Sequence, residues 1–584
     1  MRTIKRIAVL ISLPLLLLPQ PARAGEEGSL RSFFCLTPGS RTSDSRIPCL
    51  FNLLVWGQSP GHLDSGKEAG VDLTWAGKSC SSYFRPAVLS LGEDMLPEYI
   101  PSQRKKAINK ERKKDLKLAK MEFAGLLAFN QASYWIRFFN TVEDWQWNLT
   151  WKDQLPRFFS LEAWKFDANC FPKNWTHAAA GAAYYNAFRS NNFSVSKALL
   201  AAVLESFYWE YVVEWREVIS INDQFFSIAG GISIGEGFYQ LTKAINNRKG
   251  LLADVLGFLN PAIKLNRWKG SGERRLLRAG EPTDVFGLIL EGLSTSGSRI
   301  ERFAGLRLGF EFGVHYLPLY GKPVNVRRTS SGTLASELSF DILLSQGGYD
   351  EYRLFTRSVL LGGFRQSISA DNRGYSRIVG LSVAFSLIQR RTEWLDNPCP
   401  PQPPPGESAY DTPLEFSDQL AVVHLAGLFF RRTSYAENRL LSVQFEIYPD
   451  FALVNSLSLP AYTARFGIDG IKSTLMNHGY YFALGGTVSG EFDIQFRKLY
   501  IRGRVGCHFF HSIEGLDRYQ RTVDNDFHLR DSRLSGRLEL GYRMRNISAE
   551  FRLFIERIER KGLIRGFYAS NSEIRSGLGL VFLL

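Results

Sequence analysis

Beyond its first two dozen residues, the sequence lacks any uninterrupted apolar run of about 18 residues, which excludes an ordinary transmembrane helix. The longest competitor, 123–139, is interrupted by Asn130, Gln131 and Arg137. The glycine-rich stretch 230–237 lacks the lysine of a phosphate-binding loop, so we expect close packing there and no nucleotide.

The N-terminus is predicted to be a secretory signal. Three basic residues within the first six positions precede an apolar stretch, 7–18, and residues 22–24 read Ala-Arg-Ala, the small-x-small pattern of a cleavage site. We therefore expect residues 1–24 to be removed and the chain to be exported to the outer membrane of a Gram-negative bacterium. Because no cysteine follows position 24 directly, lipoprotein processing is not expected.

Cysteine is scarce, with six residues in 584. Their spacings match no zinc motif, and an exported chain meets an oxidising compartment, so disulfides are the expected use. We expect pairing among the four that precede the predicted barrel, while one of the others lies in a loop and one in a strand. In chain order the six are Cys35, Cys49, Cys80, Cys170, Cys399 and Cys507.

The formal net charge is +14, and much of it comes from the stretch between Arg104 and Lys120, with nine basic and two acidic residues. This stretch opens a predicted helical domain, 101–282, that follows an irregular, cysteine-containing segment, 25–100. A basic helix beside a membrane can bind anionic lipid, although a solvated helix face explains the pattern equally simply. Nucleic acid is not an expected partner for an exported chain.

From residue 283 to 584, the hydrophobic pattern switches to period two. Leu306, Leu308 and Phe310 alternate with Arg307 and Glu311, and similar alternation recurs to the end of the chain. A soluble sandwich also alternates. However, strands of about 10 residues or more with charges of both signs on the polar face suit a tilted strand lining a wet lumen. We predict an α+β protein with an antiparallel transmembrane β-barrel of about 12 strands, inserted by the barrel assembly machinery into outer-membrane lipid.

Aromatic residues near strand ends are expected to form the girdles that such barrels place at the membrane interfaces. The clearest examples are Tyr480 and Tyr481 at the start of one predicted strand and Phe509 and Phe510 at the end of the next. The pattern predicts that these rings face the lipid headgroups.

Two helices between 176 and 217 carry an unusual polar stripe. Thr176 is predicted to cap the first helix and Ser194 the second. On the second helix, polar residues at spacings of four, four and three share one face among aromatic neighbours; they are Ser206, Glu210, Glu214 and Glu217. On the first helix, His177, Gly181 and Tyr184 share a face, and Gly181 would allow another helix to approach closely. We expect His177 to face the carboxylates.

The stretch from 145 to 270 resembles the bacterial domain of unknown function 3943. The resemblance rests on a histidine followed by glycine and Tyr-Tyr, an arginine after that helix, W-E-x-x-x-E, S-I-N-D, and then Gly-Gly and Gly-Glu. Where members of the family often have Pro-Tyr after the histidine, this chain has Ala178 and Ala179. The resemblance implies a cell-envelope protein and supplies no activity. Further positions that match it are Tyr185, Arg189, Ser220, Asn222, Asp223 and Glu236.

Three hypotheses fit these residues. The first is structural: a buried His/Tyr/Glu network through which the helical domain plugs or docks on the barrel. In that case the network residues are Tyr184, Arg189, Ser206, Glu217, Asn222, Asp223 and Glu236. The second is an enzyme that uses His177, Glu210 and Glu214 for acid–base chemistry on an envelope lipid or glycan. The third, a metal held by the same three residues, has no supporting ligand spacing, so neither a metal nor a cofactor is expected. Transport through the lumen remains as a fourth use.

Overall fold

The computed structural model describes most of the chain from residue 114 onward. The described ranges are 114–138, 151–215, 217–246, 283–298, 302–315, 320–330, 332–345, 351–390, 418–544 and 548–583. The signal, the segment 25–100 and most of the basic stretch between Arg104 and Lys120 lie outside these ranges. Of the cysteines, Cys170 is disulfide-bonded and Cys507 is a free thiol. The remaining four lie outside the described residues, so the predicted pairing stays a prediction.

Helices dominate the described residues before 247. They are α1 (Leu116–Phe138), α2 (Trp151–Phe159), α3 (Phe171–Arg189), α4 (Val195–Tyr208), α5 (Ile221–Phe225) and α6 (Gly231–Asn246). Two π-helical turns, Trp209–Val213 and Phe226–Gly230, directly follow α4 and α5. The described helices include none that is both long and apolar enough to cross a membrane.

The predicted starts of the two central helices had different outcomes. Ser194 occupies the N-cap position of α4, as predicted, although its side chain makes no capping hydrogen bond. The prediction for Thr176 was wrong: α3 begins earlier, after the N-cap Cys170, because Pro172 suits the first turn of a helix. Thr176 lies inside α3, and its hydroxyl donates a hydrogen bond to the backbone carbonyl of Lys173.

Twelve long antiparallel strands follow and close into a barrel. They are β1 (Thr283–Gly297), β2 (Phe303–His315), β3 (Ala335–Ser345), β4 (Glu351–Ile368), β5 (Gly374–Arg390), β6 (Asp418–Ala436), β7 (Arg439–Asn455), β8 (Tyr480–Phe496), β9 (Leu499–Ser512), β10 (Leu529–Met544), β11 (Ala549–Ile564) and β12 (Phe567–Leu583). Each strand pairs with its neighbours in the chain, and β12 pairs with β1. A short extra strand, Asn325–Ser330, pairs with the end of β4. The predicted fold class and strand number are confirmed.

Side chains alternate along the strands between the lumen and the outside. On β2, Arg307 points inward, while Leu306 and Leu308 point outward and remain 37% and 41% exposed. The same outward exposure recurs on the other strands, for example at Leu441, Val443, Phe445, Leu538, Leu540, Leu553 and Ile555. In a closed barrel, the backbone N–H and C=O groups of the strands pair with one another and need no water. Together with the apolar exterior, this makes the fold that of an outer-membrane barrel.

Ion pairs reach across the lumen. Arg353 on β4 contacts Glu556 on β11 at 3.1 Å, although these strands are not neighbours in the sheet. Arg575 on β12 likewise meets Glu351 on β4 at 2.7 Å. Buried charges are tolerated when they are paired, so these ion pairs allow the inward face to be charged in a stable barrel. At this level, side chains occupy the lumen.

The helical region packs against the outside of the barrel wall. On β5, Ser386 and Arg390 face the lumen, so the alternating Phe385 and Leu387 face outward. They are nevertheless buried, because the helices cover them. Of the two predicted arrangements, plugging or docking, the structure therefore has docking.

Aromatic rings form the centre of this interface. Phe451 on β7 stacks on Phe225 with ring centroids 4.4 Å apart, and Phe166 stacks on Phe482 of β8 at 4.5 Å. Further along the wall, Leu241 of α6 packs against outward residues of β1, β2 and β3. The docked face thus replaces lipid over part of the apolar exterior.

Docking also corrects the predicted aromatic girdle. Tyr480 is fully buried, and its ring packs edge-on against Phe171 of α3. Tyr481 and Phe510 point into the lumen, where they pack with two short helices, α7 (Leu459–Phe466) and α8 (Ser473–His478). Of the four, only Phe509 remains exposed on the outward face, with 55% of its surface exposed. The sequence pattern could not distinguish lipid contact from contact with the helices, because both environments are apolar.

Candidate functional site

Three carboxylates converge where the helical region changes direction; we call Glu210, Glu214 and Asp223 the acidic cluster. Glu210 lies in the π-helical turn after α4, and Glu214 caps that turn with non-helical backbone angles. Asp223 lies in the first turn of α5, whose N-cap is Ser220. A π-turn changes the direction in which the following side chains point. The predicted straight stripe from Ser206 to Glu217 is therefore broken at this turn.

The cluster is compact and mostly buried. One carboxylate oxygen from each of Glu210, Glu214 and Asp223 lies within 4.8 Å of the others, a spacing that metal ligands also have. Glu210 and Asp223 are only 1% and 3% exposed, while Glu214 is partly exposed. His177 of α3 stands at the rim with its Nε2 3.5 Å from an Asp223 oxygen, and its side chain keeps 20% of its surface exposed. The structure thus brings His177 beside Asp223 of the acidic cluster, whereas the predicted partners were Glu210 and Glu214.

Uncharged donors hold the carboxylates in place. Glu210 accepts a hydrogen bond of 2.8 Å from the backbone N–H of Ser220, and Glu214 accepts one of 2.9 Å from the indole N–H of Trp209. Asp223 accepts from the side-chain amide of Asn222 at 2.9 Å. Within the described residues, no lysine or arginine lies within ion-pair distance of these three carboxylates. The guanidinium of Arg157 donates instead to backbone carbonyls of the same turn.

Burial and mutual repulsion shift the pKa values of these groups. Burial, with the neighbouring carboxylates, holds the pKa values of Glu210 and Glu214 well above their ordinary range. Burial also raises the pKa of Asp223 to about 6 and lowers the pKa of His177 to about 4. The site therefore combines carboxylates of raised pKa with an imidazole of lowered pKa, an arrangement suited to proton transfer.

The segment that carries this site matches a known family model. Residues 163–261 match the model described as Domain of unknown function (DUF3943). This is the DUF3943 domain of the chain. The match confirms the predicted resemblance and encloses His177 and the whole acidic cluster. Among curated proteins, nothing matches the chain.

Solved barrels are similar to the second half of the chain. A NanC porin covers 51% of this chain and 100% of its own, at 10% identity and a TM-score of 0.22. The translocator domain of the autotransporter NalP from Neisseria meningitidis covers 55% of this chain and 95% of its own, at 12% identity and a TM-score of 0.19. The outer membrane protein OmpT of Vibrio cholerae covers 52% of this chain and 99% of its own, at 7% identity and a TM-score of 0.18. The strand pairing and the direction of the side chains, described above, define the barrel of this chain.

A barrel loop completes the rim of the DUF3943 site. Arg518, between β9 and β10, contacts Asp167 at 2.8 Å and Glu217 at 3.0 Å. The backbone of Phe166 pairs with the same loop, through Leu516 and Arg518. Burial raises the pKa of Glu217, but the charge of Arg518 and the hydrogen bond from the hydroxyl of Tyr134 lower it by more. The pKa of Glu217 therefore lies below its ordinary value. Glu217 is thus a paired residue at the rim and does not belong to the acidic cluster.

A second polar group joins α3 to α6. The guanidinium of Arg189 contacts Glu236 at 2.8 and 3.0 Å, and the hydroxyl of Tyr185 donates to Glu236 at 2.6 Å. Glu236 also accepts a hydrogen bond from Thr333, just before β3. This fully paired network links the DUF3943 domain to the barrel, as expected of a structural element.

Some predicted residues lie away from the acidic cluster. Tyr184 accepts a hydrogen bond from Asn130 of α1 at 2.8 Å, and Ser206 is buried in α4 with its backbone carbonyl bonded to Gln224. Asn222 is part of the site, since its amide joins Asp223 to Asn174.

Sequence reasoning missed three residues of the site: Asp167, Asn174 and Arg518. Asp167 and Asn174 lie inside the family segment, where a search for polar residues just before and within α3 would have found them. Arg518 is about 350 positions from Asp167 in the sequence, so only the fold reveals it.

Glu205, a buried acid in α4, should make the free energy of unfolding of the domain depend on pH. Burial raises the pKa of Glu205 to about 8, from an ordinary value of 4.5. The folded protein keeps a proton that the unfolded chain releases, so the free energy of unfolding should fall between pH 4.5 and about 8 and then level off. Glu205→Gln should remove this slope and stabilise the domain at pH 8 by on the order of a few kcal/mol.

Thermal unfolding followed by tryptophan fluorescence from pH 4.5 to 9 measures this dependence. Glu162→Gln is the matched control, because Glu162 is exposed in the same domain. Equal slopes for the wild type and Glu205→Gln would contradict a buried, protonated Glu205.

Proposed function

We propose that this outer-membrane barrel carries, in its docked DUF3943 domain, an acid–base catalytic centre that acts on an envelope lipid. The observation behind this proposal is the contrast between two groups of buried acids in one domain. Glu236 is fully paired with Arg189 and Tyr185, as stability requires. The acidic cluster crowds three carboxylates with no lysine or arginine within ion-pair distance among the described residues, at a cost in stability. Such costly arrangements are typical of functional sites.

Each residue takes a role from its environment. Partly exposed Glu214, whose raised pKa favours the protonated form, donates a proton to the leaving group. Asp223, with a pKa of about 6, accepts a proton from the attacking water, and the uncharged His177 at the rim orients the substrate. Glu210 is too buried to meet the substrate. Burial, together with the charges of Glu217 and Asp223, raises the pKa of Glu214.

The surface around the site favours a lipid as substrate. Along α4, Leu200, Leu204 and Phe207 form an exposed apolar stripe, from 40% to 59% exposed. Phe207 stacks on Tyr211 of the same π-turn that carries Glu210, and Tyr211 stacks on Phe158 of α2. A domain that docks on the apolar exterior of a barrel brings this stripe to the level of the lipid. The cationic Lys173 and Arg518 near the site suit an anionic headgroup.

The test uses the purified full chain with an envelope lipid extract and mass spectrometry of the lipids. The wild type should convert one lipid class, and Glu214→Gln and Asp223→Asn should each slow this conversion about 100-fold or more. Glu236→Gln is the control, because it breaks the structural network and should lower the melting temperature with little loss of turnover per folded molecule.

Two results would contradict this proposal. One is a lipid extract left unchanged by the folded wild type. The other is stoichiometric binding of a divalent cation that Glu214→Gln abolishes, since the three carboxylates would then be ligands rather than proton carriers.

A further inference from the structure

A second constellation lies inside the barrel, on the opposite face of the wall from the docked helices. Ser386, His424 and Asp450 come from the adjacent strands β5, β6 and β7, and all three face the lumen. The Ser386 hydroxyl lies 2.8 Å from Nε2 of His424, and Nδ1 of His424 lies 2.7 Å from an oxygen of Asp450. The chain thus places a serine, a histidine and an aspartate in the order and spacing of a charge-relay triad.

Two irregularities of the sheet place these residues. The register between β5 and β6 shifts next to His424, and the register between β6 and β7 shifts between Ile447 and Asp450. A β-bulge redirects a side chain within an otherwise regular strand, and bulges occur often beside active sites. A regular ladder would not bring these three side chains into line.

The triad borders a cavity rather than packed side chains. Ser386 and His424 line it together with Tyr448, Arg357 and Arg504, and its volume is about 40 Å³. This space fits a group of a few heavy atoms, such as an acetyl group, next to the serine. Arg357 and Arg504 are paired with Glu446 and Glu491, which line the same cavity.

Further hydrogen bonds fix the acid of the triad. The Thr487 hydroxyl donates to the second oxygen of Asp450 and also lies 2.7 Å from Nδ1 of His508. Asp450 therefore stays oriented toward His424, so that Nδ1 of His424 carries the proton and Nε2 is free to accept one from Ser386.

We infer that Ser386, His424 and Asp450 form a nucleophilic centre that hydrolyses small acyl esters within the barrel. Oγ of Ser386 bonds to the acyl carbon and gives its proton to Nε2 of His424. The bond between the acyl carbon and the alcohol oxygen breaks, and His424 returns the proton to the departing alkoxide. Water then attacks the acyl-serine, with His424 again moving the proton, and releases the carboxylic acid.

The experiment treats the folded full chain in detergent with 4-nitrophenyl acetate and maps acetylation by peptide mass spectrometry. Ser386 should be acetylated at a rate that falls at least 100-fold in His424→Asn and Asp450→Asn, while Ser386→Cys retains labelling at that position. Ser382→Ala is the matched control, because Ser382 is an inward serine of the same strand bonded to Tyr448. Migration with and without boiling checks that each variant is folded.

Several outcomes would overturn the inference. The first is a folded wild type that is not acetylated at Ser386. The second is acetylation of Ser386 at a rate that does not depend on His424. The third is an equal total rate of acetylation in Ser382→Ala and Ser386→Ala. In each of these cases the three residues are only a hydrogen-bonded part of the barrel interior.

Discussion

Replacing Phe451 with alanine should release the DUF3943 domain from the barrel wall while leaving the barrel intact. Phe451 is fully buried, although it points away from the lumen, and its ring contacts Phe166, Phe225, Phe226 and Phe482. Truncating a buried phenylalanine costs about 3–5 kcal/mol, through lost transfer energy and the cavity left behind. This cost falls on the docking interface, because the strands themselves are held by backbone hydrogen bonds.

Limited proteolysis in detergent measures this release. Phe451→Ala should expose the helical domain to cleavage at least tenfold faster, while the migration of the barrel with and without boiling stays unchanged. Phe445→Ala is the matched control, because Phe445 lies on the same strand and the same outward side but is 44% exposed. If both variants were cleaved at one rate, Phe451 would not be a docking residue.

Replacing Gly181 with alanine should destabilise the domain from within. A Cβ at this position would lie 1.9 Å from the backbone carbonyl oxygen of Ser227 and 2.7 Å from its carbon. These are backbone atoms of the second π-helical turn, so relief requires moving α3 away from that turn. Gly231, at the start of α6, meets the backbone of Gly181 in the same way. Overpacking of this kind costs about 1–3 kcal/mol or more.

Gly125→Ala provides a control of opposite sign. Gly125 lies in α1, and a Cβ there would meet no atom within 4 Å. This variant should stabilise the domain by about 0.5–1 kcal/mol, because alanine loses less backbone entropy than glycine in a helix. Chemical denaturation followed by tryptophan fluorescence compares the two. A shift of the same sign in both variants would mean that α3 and the π-turn do not meet at Gly181.

The acidic cluster was partly predictable. The spacing of Glu210 and Glu214 and the family resemblance pointed to residues that lie together in the structure, with His177 beside Asp223. That these residues form a functional site stays a prediction. The prediction of one continuous helical face was wrong, because the π-turn at Trp209–Val213 ends α4 before Glu214. The choice between a π-turn and a straight helix depends on packing with α2 and α5, and no local pattern encodes that packing.

The triad in the lumen could not be predicted from the sequence. Ser386, His424 and Asp450 are 38 and 26 positions apart, and no motif surrounds them. Period two shows which side chains point inward, but register and bulges decide which of them meet across strands. One missing bulge would turn His424 to the other face of the sheet.

The sequence by itself determined the two-part architecture, the number of strands and their apolar exterior, because periodicity depends only on the order of residues. It also determined which carboxylates are candidates for chemistry. Only the tertiary structure decided that the helices dock outside the barrel, that Tyr480 meets α3 instead of lipid, and that Arg518 completes the rim. The physical reason is that an apolar strand face suits lipid and protein equally well, and long-range contacts alone select between them.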